Sequence, residues 1–301
     1  MTLYNEKYEQ ECGNEEQCLK HIIKLKYREG YICKRCKNSE RYWVVEKKRT
    51  FECSMCNHQE SVLSGTIFQD SHIPLSLWFR AIWYIISQEN RVKALGLQKK
   101  LGIKCYKTAL SLLHKVHLIM FNQRKDLLHN TIEVALFYEN ISRNGPKSIN
   151  CKVLIAIVME IIDEKPTRIR IGHIADNSPD SFRDFIQKSV AEESSITMIF
   201  NTKEEYNRFT NINATFGSRI STIDKKRYDI ITEVKERSKQ ITVLCSSKYL
   251  QYYLDECSFH FNQRHTDKWT LFNALLKNAV QQEPVTYHDI KADKINSLQL
   301  I

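Results

Sequence analysis

The sequence has 301 residues, 42% of them apolar, which is enough to fill the cores of roughly two or three compact units. Its longest apolar stretch, residues 153–162, is interrupted by Glu160 and is much shorter than the ~20 residues that a membrane span needs. The polar first ten residues lack the apolar segment of a signal peptide. We therefore expect a soluble intracellular protein, nuclear if its source is eukaryotic, with no membrane partner.

The net charge of +10 is concentrated early in the chain. Residues 20–130 carry 21 Lys or Arg against 8 Asp or Glu, whereas residues 131–301 carry 23 against 22. A basic block of this kind is the usual electrostatic pattern of a nucleic-acid contact. A solvated basic surface without a partner has the same composition, so the charge alone leaves both interpretations open.

Residues 1–30 are predicted to form a helical segment, and residues 31–68 a zinc ribbon. The zinc-ribbon prediction rests on two Cys-x-x-Cys pairs separated by sixteen residues, formed by Cys33, Cys36, Cys53 and Cys56. Two residues between cysteines make a tight turn, and two such turns can place four thiolates around one zinc ion. Because four thiolates leave no open coordination position, the zinc is expected to be structural. Two disulfides or an iron site remain as alternatives.

Residues 69–128 are predicted to form a helical block. Its first helix starts near Pro74, its second runs from Val92 to Leu101, and its third follows Gly102, from about Lys104 to Met120. Two helices joined by a short turn that contains glycine resemble a helix-turn-helix, whose second helix can enter the major groove of DNA. A helix pair that only packs against the ribbon would show the same periodicity.

Basic residues gather in and beside this helix pair, and they are the candidate contacts to double-stranded DNA: Arg91, Lys93, Lys99, Lys100, Lys104, Lys107, His114 and Lys115. In the third helix the expected buried face consists of Tyr106, Ala109, Leu110, Leu113, Val116 and Met120. Lys104, Lys107, His114 and Lys115 are expected to point outward.

From residue 129 the hydrophobic pattern changes to that of an α/β domain, predicted over residues 129–287 with C-terminal helices and a tail at 288–301. The predicted order is strands at 131–138, 151–159 and 167–174, a helix from Ser178 to about Glu192, a strand at 196–200, and helices near 225–238, 247–262 and 267–280. This order is that of a ribonuclease-H-like domain with a mixed sheet. The fold class is therefore multidomain α+β.

Several short motifs occur in a fixed order along the chain. The front carries Tyr31-Ile32-Cys33-x-x-Cys36, Phe51-x-Cys53-x-x-Cys56, Ser64-Gly65-Thr66-Ile67-Phe68, Pro74-Leu75 with Trp78-Phe79, Leu101-Gly102-Ile103 and Lys107-Thr108-Ala109. The end carries Tyr249-Leu250-x-x-Tyr253-Leu254 and Phe261-Asn262-x-Arg264. In this order, from about Cys18 to residue 287, the chain resembles the Merlin-type transposases, the zinc-ribbon insertion-sequence group with a DDE-type catalytic domain.

The resemblance implies metal-dependent cleavage and joining of DNA strands, in which acidic side chains hold two divalent ions. At the first acidic position this chain has Ala135, and at the second it has Asn201. The third position falls near residues 224–229, which lack the family's motif. Since alanine cannot bind a metal and asparagine carries no charge, we predict that no catalytic residues remain.

Three functions follow from these observations. The favoured one is a DNA-binding protein derived from a transposase that has lost its chemistry. An active transposase would need displaced carboxylates such as Glu133, Glu233 or Glu236, and only then Mg²⁺ or Mn²⁺ as cofactor. A zinc-dependent platform for protein interactions is the third, and a homo-oligomer is compatible with all three.

Overall fold

The computed structural model describes residues 2–39, 42–45, 49–88, 92–121, 127–142, 150–174, 178–200, 203–209, 217–220, 225–242 and 247–292. Contacts divide the chain into two compact units, residues 1–122 with 266–301, and residues 123–265. The sequence pattern groups the C-terminal helices with residues 129–287, whereas residues 268–281 contact the helices of the first unit. No helix of the described residues is both long and apolar enough to cross a membrane.

The elements of the first unit before its insertion are α1 (Thr2–Cys12), α2 (Glu15–Lys26), β1 (Tyr42–Val45), β2 (Thr50–Cys53), β3 (Gln59–Ser61), α3 (Leu75–Ser87), α4 (Ala94–Leu101) and α5 (Tyr106–Phe121). The second unit contains β4 (Thr131–Ser142), β5 (Asn150–Ile162), β6 (Lys165–Ile174), α6 (Pro179–Gln187), β7 (Ser195–Phe200), α7 (Lys203–Arg208), β8 (Gly217–Ile220), α8 (Lys225–Thr242) and α9 (Ser247–Asn262). The chain then returns to the first unit with α10 (Lys268–Gln281) and α11 (Tyr287–Ala292).

Helix α3 is central to the core of the first unit. Its apolar residues recur at helical spacing, and two of them, Trp78 and Phe79, are completely buried. The rings of Phe79 and Phe272 of α10 meet edge to face with centroids 5.7 Å apart, an arrangement that favours aromatic packing. The helix starts immediately after Pro74, near the predicted start, with Pro74 at the N-cap and Leu75 as the first helical residue.

The N-terminus of α3 is capped by a distant carboxylate. Glu15 of α2 accepts hydrogen bonds at 2.9 Å from the backbone N–H groups of both Leu75 and Ser76. Arg49, at the start of the β2 hairpin, donates to the same carboxylate at 2.7 Å. Burial raises the pKa of Glu15, but the N–H groups of Ser76 and Leu75 outweigh it and hold that pKa below its usual value. Glu15 therefore joins α2, α3 and the small sheet.

The helix pair α4–α5 turns at Gly102, as predicted. Gly102 has a φ of 66°, in the left-handed region that favours glycine, and it caps α4 by donating to the Gln98 carbonyl. The predicted helices begin two residues too early, since the observed starts are Ala94 and Tyr106. Beyond its first turns α5 lies in the core, because α3, α4 and α10 pack against it.

The second unit contains a five-stranded sheet in the order β6-β5-β4-β7-β8. The first three strands form an antiparallel meander, and β7 and β8 run parallel to β4. The turn between β5 and β6 consists of Asp163 and Glu164, whose φ values of 48° and 59° match a two-residue hairpin turn. All the predicted strands are observed, with longer ends for β4 and β5.

Both faces of this sheet are covered, so alternate residues of each strand enter two separate cores. Ala135 and Phe137 of β4 pack with Ile231 and Val234 of α8 on one face, together with residues of α9. On the other face, Phe182 and its neighbours in α6 pack with the intervening strand residues. The sheet therefore lies between two helical layers.

The outer edge of β6 is covered by polar side chains of α9 that act as a substitute strand. Asn262 accepts from the N–H of Ile169 at 2.8 Å and donates to its carbonyl at 3.0 Å. Farther along, Ser258 accepts from the N–H of Ile171 at 3.1 Å, and Gln251 pairs with the Ile171 carbonyl and the His173 N–H at 3.0 and 2.9 Å. These bonds satisfy an edge that would otherwise be open to pairing with another chain.

Candidate zinc centre

Each Cys-x-x-Cys pair lies in the same type of backbone turn. In the first, the Cys33 N–H donates to the Asn38 carbonyl and the Lys37 N–H donates to the Cys33 carbonyl, both at 2.9 Å. The second turn repeats both bonds twenty positions later, at 3.0 and 2.9 Å, with Cys53, Asn57 and His58 in the corresponding places. Lys37 and Asn57 both have positive φ, 59° and 54°, which closes the turns around the sulfur atoms.

The two turns bring the four predicted ligands together. The Sγ atoms of Cys33 and Cys56 are 3.6 Å apart, those of Cys36 and Cys53 are 3.5 Å apart, and all four lie within 4.8 Å of one another. Zn–S bonds of about 2.3 Å in a tetrahedron require sulfur separations of about 3.8 Å, whereas a disulfide requires about 2.05 Å. All four are free cysteines, so the residues fit a structural zinc ion and do not form disulfides.

Backbone N–H groups point at the sulfur atoms of Cys33 and Cys53 and favour the thiolate form of these two cysteines. The N–H groups of Cys36 and Arg35 lower the pKa of Cys33. Burial raises the pKa of Cys53, but the N–H groups of Met55 and Cys56 and the neighbouring side chains lower it to about 6. Since the thiolate is the form that binds metal, these turns are arranged as zinc-binding turns.

A small aromatic core supports the cysteines. Phe51 of β2 is fully buried and stacks on Tyr31 with centroids 4.5 Å apart, and Tyr27 meets it edge to face at 4.6 Å. Beside this core, the buried Glu60 carboxylate accepts from the Tyr31 hydroxyl and pairs with Lys34. Because few side chains make up this core, we expect the segment to need a bound metal ion for a stable fold.

Comparison with known families finds one match at this place. A family model described as a transposase zinc-ribbon domain matches residues 13–59, which include α2, β1, β2 and all four cysteines. Comparison with curated proteins finds no match. Residues 13–59 are therefore similar to the zinc ribbon of transposases, and the four-cysteine cluster is what such a domain needs to bind its metal.

Most of the candidate DNA contacts lie on the surface of the first unit. The exposed ones are Lys93, immediately before α4, and Lys99, Lys100, Lys104 and Lys107, in and between α4 and α5. Gln98 donates to the Lys104 carbonyl at 3.3 Å, which ties α4 to the turn that leads into α5. Arg91 lies outside the described residues.

The predicted orientation of α5 is wrong in three places. His114 is fully buried, Lys115 is half-buried with its ammonium 5.8 Å from the centroid of the Trp78 ring, and Tyr106 is 48% exposed. Burial also lowers the pKa of Lys115. The physical reason is that α3, α4 and α10 all pack against α5, so the exposed side chains among its described residues are confined to the first turn.

In the second unit, β4 carries Ala135 at the first acidic position that the resemblance predicts, and Glu133 close by. Ala135, at the position where the resemblance expects the first acidic residue, is buried in the apolar core between β4 and α8. Glu133, two residues earlier on the same face, is buried and forms a two-pronged ion pair with Arg227 of α8. The carboxylate of Glu133 thus already has a cationic partner inside the protein.

The other candidate substitutes do not point inward. Glu233 and Glu236 are exposed on α8, and Glu233 pairs with Arg237 one turn later at 2.8 Å. Asn201 and Asp224 lie outside the described residues. Among the residues that the structure describes, the four cysteines are the one group of three or more metal-binding side chains close enough to share an ion.

Proposed function

We propose that this chain is a transposase-derived protein that binds duplex DNA through a zinc-stabilised front and no longer cuts it. The observation that carries the proposal is the four-cysteine cluster inside a segment similar to a transposase zinc ribbon. Zinc supplies no chemistry here, since the four thiolates complete its coordination. Its role is to hold β1–β3 and the turns that carry the cysteines.

The exposed surface of α4 and α5 supports DNA binding. Five exposed lysines lie in or beside α4 and in the turn and first turn of α5 that follow it, and that first turn also presents Tyr106. In a helix-turn-helix the N-terminal residues of the second helix reach base edges, while nearby cations contact phosphates. We therefore assign α5 as the recognition helix, with its first turn as the part that enters the groove.

The strand order of the second unit supports its descent from the catalytic domain of a transposase. An antiparallel meander of three strands is followed by two strands parallel to the first, and helices cover both faces. This is the arrangement expected for a ribonuclease-H-like domain, the fold that the resemblance implies for a DDE-type transposase. We infer that the second unit descends from such a catalytic domain.

The environment of β4 supports the loss of cleavage. A two-metal mechanism needs carboxylates that converge on a site open to DNA. Instead, Ala135 is packed under α8, and Glu133 is held by Arg227. As a displaced metal ligand, Glu133 would therefore have to leave a buried ion pair before it could bind a divalent ion.

The experiment is a gel-shift selection of the full chain on random duplexes, with zinc bound and after chelation, in Mg²⁺ or Mn²⁺. Zinc-dependent binding without cleavage is the expected result. If all five exposed lysines contact phosphates, the slope of log affinity against log salt should be about −4.5. Affinity that does not change between about 50 and 200 mM salt would refute DNA binding, and metal-dependent cleavage would refute the inactive site.

Exposed apolar side chains on the ribbon favour a second candidate, a platform for protein interactions. Trp43 of β1 is 60% exposed and Met55, inside the second cysteine pair, is 71% exposed. If the selection recovers no duplex, while the zinc-loaded chain forms a stable protein complex that Trp43→Ser abolishes, this function replaces the first.

A further inference from the structure

A pocket of about 190 Å³ opens in the second unit between α8, α9 and β6. Its apolar lining includes Ile169, Val234 and Phe261, and its polar lining includes two arginines, Arg237 and Arg264. The pocket plays no part in the proposed contact with DNA. An apolar cavity of about 150 Å³ can hold benzene, so this pocket can hold one aromatic ring or branched alkyl chain with a small polar group.

Among the charged side chains that the structure describes in the pocket lining, one arginine has no acidic partner. Arg237 is paired with Glu233 at 2.8 Å, and His260 lies 4.0 Å from the carboxylate of the buried Glu256. Arg264 differs from both, because its hydrogen bonds in the described structure go to neutral backbone carbonyls. Arg264 thus adds one positive charge to the pocket lining.

Hydrogen bonds and a ring contact fix the guanidinium of Arg264 in one position. Its Nη1 donates to the carbonyls of Phe261 and Thr167 at 2.8 and 3.2 Å, and its Nη2 donates to that of Pro166 at 3.3 Å. The guanidinium also stacks 3.9 Å from the centroid of the Phe261 ring. These bonds use about three of the five N–H donors of an arginine, and a fixed guanidinium loses little entropy when it binds a planar carboxylate.

We propose that this pocket binds a small monocarboxylate with an apolar body, which pairs its charge with Arg264 and places its body on Ile169, Val234 and Phe261. The single excess charge favours a monoanion over a dianionic phosphate. The apolar lining requires a hydrocarbon body beside the charge. Two sources offer this chemistry, a free carboxylic acid and the C-terminal residue of a peptide.

The test is calorimetric titration of the full, zinc-loaded chain with 3-phenylpropanoate, and with its uncharged amide as the matched ligand. Saturable binding of the acid, and at least about tenfold weaker binding of the amide, is expected. A short peptide ending in phenylalanine, with a free or an amidated C-terminus, distinguishes the two sources. Tighter binding of the free-ended peptide than of the acid would assign the pocket to peptide ends, and the reverse order to free acids.

Variants locate the binding. Arg264→Met should weaken binding of the acid about tenfold, whereas Arg183→Met should leave it unchanged. Arg183 serves as the control, because it is another exposed arginine of the same unit, on α6, that pairs with Asp180 and does not line the pocket. Equal binding of acid and amide, or no saturable binding of either, overturns the proposal.

A third variant covers the case in which Arg264→Met fails to fold. Glu233→Gln removes the carboxylate that competes for Arg237 at the pocket and should tighten binding of the acid several-fold. Unchanged or weaker binding by Glu233→Gln contradicts the proposal. Because each measurement uses no DNA, its outcome is independent of the proposed contact with duplexes.

Discussion

The four cysteines of the ribbon and the carboxylate of Glu133 are two anionic sites that differ in the source of the cation that balances their charge. The cysteines receive backbone N–H groups, and four thiolates on one centre require an added cation. Glu133 receives the guanidinium of Arg227 from within the chain. The difference leads us to expect that the ribbon needs a metal ion for its charge balance, whereas Glu133 on β4 has its counter-charge within the chain.

The largest effect should come from removal of the zinc. Cys53→Ser, or chelation, is expected to weaken DNA binding by more than about a hundredfold, because small zinc domains unfold without their metal. Gel shift measures the affinity, and hydrogen exchange should show that β4 and β5 keep their protection.

Cys257→Ser is the matched control for this change, since Cys257 is a thiol outside the cluster and lies on α9, which carries none of the candidate DNA contacts. It should keep one zinc per chain. Loss of protection throughout the second unit on chelation would show that the two sites are not independent.

The next largest effect should come from breaking the internal pair. Arg227→Met leaves Glu133 buried without its cation, which should lower the free energy of unfolding of the second unit by about 3–5 kcal/mol. Urea denaturation of the full chain measures this change.

Two further variants sharpen this prediction. Arg237→Met breaks only an exposed pair and should cost less than about 1 kcal/mol. Adding Glu133→Gln to Arg227→Met should restore much of the lost stability, because the unpaired charge is removed. A double variant as unstable as Arg227→Met would contradict the role given to the ion pair.

A second buried carboxylate, that of Glu160, allows the stabilising effect of an internal ion pair to be tested by a change of pH. Glu160 accepts bonds from Arg168, Thr167 and the His129 N–H. Burial raises its pKa, but the bonds from Arg168 and from the His129 N–H lower it to about 2.

Because the folded pKa is depressed, the stabilising contribution of Glu160 is fully present above its unfolded pKa of about 4.3 and is lost as the pH falls toward 2. Glu160→Gln should therefore cost about 2–3 kcal/mol at pH 7, and the difference from the original chain should shrink as the pH falls to about 2. Denaturation curves at several pH values measure it. A difference that stays constant with pH would mean that the charge of Glu160 is not what stabilises the sheet.

The smallest effects should come from single surface lysines. Lys104→Gln and Lys107→Gln should each weaken DNA binding by about fivefold at low salt and reduce the salt slope by about 0.9. Lys115→Gln should change the slope less, because that side chain is half-buried over Trp78. Equal slopes for all three variants would contradict the assignment of the first turn of α5.

Local sequence patterns predicted those features that neighbouring residues determine. The spacing of Cys33 to Cys56 predicted the four-cysteine cluster, Gly102 predicted the turn between α4 and α5, and Ser178 predicted the start of α6, where its side chain accepts from Ser181. Each of these depends on turn or cap chemistry within a few residues of the chain.

Features that depend on distant residues were missed. Arg227 lies 94 residues from Glu133, and Glu15 lies 60 residues from Leu75, so neither pairing leaves a local pattern. His114 was assigned to the surface because periodicity shows one buried face, whereas contacts from several helices bury α5 on other sides as well.

The central claim is that zinc maintains a DNA-binding front on a chain that does not cut DNA. One titration tests it most directly: the affinity of the full chain for a selected duplex in Mg²⁺, measured with zinc, after chelation and after zinc is restored, while the length of the DNA is followed. We predict that binding is lost on chelation, returns with zinc, and leaves the DNA intact throughout. Binding that persists without zinc, or shortened DNA that requires the divalent ion, would contradict the account.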